Sequence, residues 1–164
     1  MVEQTNTVPT WGRMEGYIFH NSSDLLCKSG EIAYSTLTNL KETGIINKIG
    51  VSIYNCLEIP RLMKHYDFDI IQAPFNIFDQ SLKNQGLIPK LKKANVELHV
   101  RSIFLQGLLL MKPEERPNFF KTWYELFSNY DNWIADLGVE RLEACIGFVK
   151  KFTDLSRIII GVQS

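Results

Sequence analysis

Five short runs rich in β-branched and aromatic residues, each separated from the next by a stretch with helical spacing, constrain this chain more than any other feature. The runs cover residues 16–20, 48–54, 69–75, 97–102 and 157–161. Between the first two, Asn21-Ser-Ser-Asp24 supplies turn residues. A helix is then expected over 31–43 from Ile32, Leu37 and Leu40, with Gly44 where a C-terminal cap would put it. A second helix is expected over 57–66, with Pro60 tolerated in its first turn. Pro74 marks the end of the third run, and Leu87, Ile88, Leu91 and Ala94 share one face of a third helix. After a loop carrying Pro113 and Pro117, two further helices are expected over 118–137 and 139–152.

Strand and helix in alternation imply an α/β fold with a parallel sheet and helical crossovers. Such a sheet is either doubly wound and open or part of a (β/α)8 barrel. A complete barrel needs roughly 250 residues, about 31 per βα unit. Five units therefore account for nearly all of the 164 residues present, which favours a partial TIM barrel. Residues 1–13, polar and carrying Pro9 and Gly12, are expected to be a loose leading segment, with one domain over 14–164.

Composition narrows the function. Hydrophobic residues make up 45% and charged residues 22%, enough apolar material for a packed core. The 18 basic and 18 acidic residues cancel, and the densest basic run, Lys90 to Lys93, has the spacing of one solvated helix face. No nucleic-acid partner is expected. Cys27, Cys56 and Cys145 form no CxxC pair and no metal-spaced cluster, so reduced thiols and no metal are expected. The amino terminus lacks the pattern of a signal peptide, and runs such as Leu108 to Met111 are far shorter than a membrane span. The expected location is cytoplasmic, with no membrane association.

No dinucleotide fingerprint, phosphate loop or hydrolase elbow occurs. Polar residues instead gather at the carboxyl ends of the strands, where barrel enzymes keep their chemistry. They are His20, Ser52, Gln72, Arg101 with Ser102, and Ser164.

Five segments, Ile18-Phe-His-Asn21, Lys48-Ile-Gly-Val-Ser-Ile-Tyr54, Ile71-Gln-Ala-Pro-Phe-Asn76, Val100-Arg-Ser-Ile-Phe-Leu-Gln-Gly107 and Ile159-Ile-Gly-Val162, resemble in order and spacing the fourth to eighth strands of the aldo-keto reductases. The resemblance implies a barrel oxidoreductase that reduces a small carbonyl compound with NADP(H) or NAD(H). It implies that His20 donates a hydrogen bond to the substrate carbonyl oxygen, and that Ser52 and Gln72 hold the nicotinamide carboxamide. Arg101 falls where many members stack an aromatic ring on the nicotinamide, a role a guanidinium can fill. Ser102 adjoins it in the cofactor site, and Ser164 begins the loop that contacts the cofactor phosphates. Ile53 replaces a common asparagine and removes one carboxamide contact. The family's proton donor is a tyrosine tuned by a lysine and an aspartate, yet no lysine or aspartate precedes His20. A truncated chain, inactive alone, is therefore expected. The alternatives are a non-catalytic binding or regulatory module, or one piece of a barrel completed by another chain. Five strands of eight also leave two free edges, so self-association or a partner chain is expected.

Overall fold

The computed structural model describes residues 13–161; residues 1–12 of the expected leading segment and Ser164 lie outside the described residues. Five strands, β1 (Tyr17–Phe19), β2 (Ile49–Ser52), β3 (Ile70–Pro74), β4 (Glu97–Arg101) and β5 (Arg157–Ile158), form one sheet in the order β1-β2-β3-β4-β5. Every adjacent pair is parallel. The helices between them are α1 (Lys28–Glu42), α2 (Ile59–Leu62), α3 (Ser81–Asn84), α4 (Leu87–Lys93), α5 (Tyr124–Leu137) and α6 (Arg141–Lys150). A doubly wound sheet reverses its strand order at a switch point. Here each strand pairs with its successor in the chain, the arrangement of a barrel wall.

Side-chain alternation gives the sheet two unlike faces. Val51, Ile71, Ala73, Leu98 and Val100 are almost wholly buried on one face, in a core shared with Leu37, Ile59, Leu62, Leu91 and Val149 of the covering helices. Each of these valine, leucine and isoleucine side chains contributes about 1.5–3 kcal/mol by burial. Strand register sets Gly50 beside Ile70 and Ile70 beside Glu97 on the other face, followed by a row of Ser52, Gln72 and His99, then Pro74 beside Arg101. This second face carries the polar residues.

In or beside the two edge strands, Tyr17, Ile159 and Ile160 are 43%, 40% and 45% exposed. Among the described residues β1 and β5 have one neighbour each, so one flank of each is uncovered. Several elements depart from expectation. The fifth strand is paired over two residues rather than five, although Ile159 N still donates to Val100 O at 2.7 Å. The second helix is a 3-10 turn, Cys56–Glu58, leading into the single turn of α2 with Pro60 at its start. Asn55 and Glu58 cap that turn reciprocally, and beyond Leu62 the chain swings away to bury Phe68. Residues 118–123 form a 3-10 turn, so α5 begins at Tyr124. The short α3 carries only one buried residue, Leu82, which is too little periodicity to see in sequence. Gly44 lies at φ 76° just past α1, as its expected cap position requires.

At the amino end of the polar face, Lys48 Nζ donates to Glu15 at 2.9 Å and Glu97 at 2.8 Å, and His99 Nε2 lies 3.0 Å from Glu97. The Lys48 ammonium, more than His99, holds the Glu97 carboxyl below its ordinary range against the opposing effect of burial. Lys48, Glu15 and Glu97 lie toward the amino end of the sheet, and His99, in register with Gln72, links that cluster to the level of the candidate site.

Candidate functional site

Parallel strands bring side chains from distant parts of the chain to one level at their carboxyl ends. Ser52 and Gln72 are in register, and the Ser52 hydroxyl donates to Gln72 Oε1 at 3.1 Å. Ser52 is buried, at 4% exposure. Among the described residues, that bond leaves the two Gln72 amide hydrogens and the Ser52 lone pairs without a partner. Together they offer donors and an acceptor on one level, the complement of a planar carboxamide.

Arg101, in register with Pro74, reaches across β3 to the end of β2. Its Nη2 donates to Ile53 O at 3.0 Å, and Nη1 lies 3.3 Å from Ser102 Oγ. The guanidinium stacks 4.6 Å from the centre of the exposed Tyr54 ring. Ser102 sits at φ 56°, and its carbonyl accepts Asn76 Nδ2 at 3.1 Å. Asn76 is 1% exposed and also accepts from Phe78 N and Asp79 N, so it pins the end of β3 to the end of β4. His20 follows β1 directly and is exposed. Continued register would bring it level with Ser52.

The structure thus brings Ser52, Gln72, Arg101 and Ser102 to one end of the sheet, with His20 at its exposed margin, while Ser164 lies outside the described residues. Arg101 and Ser102 border a cleft of about 500 Å³ lined also by Phe104, Gln106, Leu110 and Ile159; Ser52, Gln72 and His20 are not in its lining. A second cavity of about 510 Å³ lies by Arg116, Phe120 and Tyr124 and contains none of the strand-end residues. Tyr54 and Asn76 were not singled out as site residues from sequence. Their signal was the one used for the others, a polar side chain just past a strand's end.

Comparison with known proteins follows the same lines. A profile of the Aldo/keto reductase family matches residues 18–164. A search of curated proteins finds no match. Among solved structures, an aldo-keto reductase from Bacillus halodurans in its holo form superposes with a TM-score of 0.70 at 15% identity, covering 93% of this chain and 50% of that one. A glycerol dehydrogenase from Gluconobacter oxydans gives 0.62 at 16% identity, covering 89% and 49%. An aldo-keto reductase described as putative from Pseudomonas aeruginosa gives 0.57 at 16%, covering 92% and 46%. The chain spans about half the length of the solved structures it matches.

Proposed function

This chain belongs to the aldo/keto reductase family, and we propose that it forms the carboxamide-holding and carbonyl-polarising side of a site that reduces a small carbonyl compound with NAD(P)H. The observation that carries this reading is the Ser52–Gln72 pair at the carboxyl end of the sheet, whose hydrogen-bonding groups match a nicotinamide carboxamide, while Arg101 and Ser102 line the cleft. When bound, the cofactor supplies a hydride for the carbonyl carbon. Ser52 and Gln72 fix the ring about its amide and so decide which face meets the substrate. Arg101 borders the ring's place with its guanidinium already ordered by Ile53 O and Tyr54. Ser102 closes the cleft beside it. His20 donates a hydrogen bond to the carbonyl oxygen and stabilises the charge that develops there.

Protonation of that oxygen needs a general acid. Residues 1–19 contain Tyr17 but no lysine or aspartate to tune it, and Tyr17 is a strand residue alternating away from Ile18. Ser52, Gln72, Arg101, Ser102 and His20 thus bind and orient the reactants, and the tuned proton donor is not among residues 1–19.

Titration of NADPH fluorescence with the purified chain, together with an aldehyde panel, tests this reading. Cofactor binding weakened about tenfold by Gln72→Ala, as the loss of one or two hydrogen bonds to a polar ligand implies, is the expected result. No aldehyde should be consumed. Binding indifferent to Gln72→Ala would displace the carboxamide from this pair, and turnover abolished by His20→Ala would mean that the chain holds its own proton donor.

A further inference from the structure

The loop that walls the cleft, residues 102–111, has a backbone that needs an external hold. Ser102, Leu105 and Gln106 lie at φ 56°, 48° and 56°, and Gly107 follows at 86°. Three non-glycine residues in the left-handed region each carry an energetic penalty and persist only where the surroundings over-determine them. Within the loop, Leu105 N donates to Ser102 O, Leu108 N to Leu105 O, and Leu109 N to Phe104 O. These bonds close the turns but do not fix where the loop sits. Asn76 fastens its beginning, through Ser102 O.

Its end is fastened from α5. Tyr130, 3% exposed, donates from its hydroxyl to Leu109 O at 2.8 Å. Burial pushes the phenol well above its ordinary pKa, so the hydroxyl keeps the proton it donates. The next residue, Asp131, binds Arg116 through both oxygens, at 2.7 and 2.5 Å, and Arg141 of α6 at 2.8 Å. Arg116 in turn reaches Met111 O at 3.3 Å and stacks 4.6 Å over Phe127. Two consecutive residues of one helix therefore hold two carbonyls at the far end of the strained loop. Neither Tyr130 nor Arg141 lines the cleft.

We propose that Tyr130 and the Arg116–Asp131–Arg141 cluster are positioning residues that hold the 102–111 loop in its cleft-forming shape, and through it set affinity for the cofactor. The first half stands on geometry alone; the second rests on the reading of the cleft as part of the cofactor site. Tyr66 provides a matched control, because its hydroxyl donates to another backbone carbonyl, Leu25 O, at 2.6 Å, and Tyr66 does not line the cleft.

The experiment compares wild type, Tyr130→Phe, Asp131→Asn and Tyr66→Phe by amide hydrogen exchange without cofactor and by NADPH titration. Exchange at Leu105, Leu108 and Leu109 should quicken about five- to tenfold in Tyr130→Phe and Asp131→Asn, relative to amides of β3, and stay unchanged in Tyr66→Phe. NADPH affinity should fall by a similar factor in the first two variants only. Unchanged loop exchange in Tyr130→Phe, or equal quickening in Tyr66→Phe, overturns the positioning role. Faster loop exchange with unaltered NADPH affinity overturns the link to the cofactor. Expected exchange in a chain that binds no NADPH supports the hold on the loop and overturns the cofactor reading instead.

Discussion

Asp131 shows how one carboxylate in this molecule depends on its surroundings. Burial opposes its ionisation, yet hydrogen bonds from Arg116 and Arg141 outweigh that effect and hold its pKa below the ordinary value. A carboxyl lowered in the folded state stabilises the fold fully above its unfolded pKa, near 3.9 for aspartate, and loses that contribution as the pH falls through the lower native value. Acid unfolding followed by fluorescence should therefore show a stability loss below about pH 4 that Asp131→Asn largely removes. At neutral pH the same variant should be less stable by about 3 kcal/mol, since it leaves two guanidinium groups without their charge partner. An acid titration identical in the two proteins would mean that the cluster contributes nothing to stability. Residues of this kind were not legible in sequence. Arg116, Asp131 and Arg141 are separated by turns that only the fold brings together. Ser52, Gln72, Arg101 and Ser102 were legible because each sits at a strand's end, and parallel strands present their ends on one side. The stacking of Arg101 on Tyr54 was not, because it crosses an intervening strand.

At the scale of elements, the strands were easier to place than the helices. All four positions of β2 and three of five in both β3 and β4 are buried, so β-branched and aromatic composition marked the strands where alternation could not. The short crossovers α2 and α3 bury one or two residues each, and no period can be read from so few. The five-residue extent expected for the last strand failed because an edge strand with one partner stays paired only briefly. Close contacts between elements were equally hidden. A Cβ on Gly30 of α1 would lie 2.1 Å from Asp24 O and 2.6 Å from Leu25 Cα, both backbone atoms of the preceding turn. Neither can yield without moving the turn that holds Leu25, 1% exposed, in the core. Gly30→Ala should lower stability by about 2–3 kcal/mol in urea denaturation, despite the better helix propensity of alanine, which would otherwise add about 1 kcal/mol. A midpoint equal to or above wild type would show that α1 and the turn separate freely.

At the scale of the whole molecule, the described residues form an arc of barrel wall with helices packed on one face of the sheet. Among the described residues β1 and β5 each expose a flank, and Tyr17, Ile159 and Ile160 are substantially exposed beside them. No proline or lysine lies within either strand to discourage pairing. Light scattering at tens of micromolar should therefore report self-association of the 164-residue chain, and a stable monomer that unfolds cooperatively would show that the flanks are shielded. The strand order has a consequence for how such an arc is made. Because strands pair in chain order, each pairing can form once the next strand has been made, and the widest gap is the one between β4 and β5. As the polypeptide leaves the ribosome, each βα unit can dock on the unit already formed, so that the arc grows in the direction of synthesis.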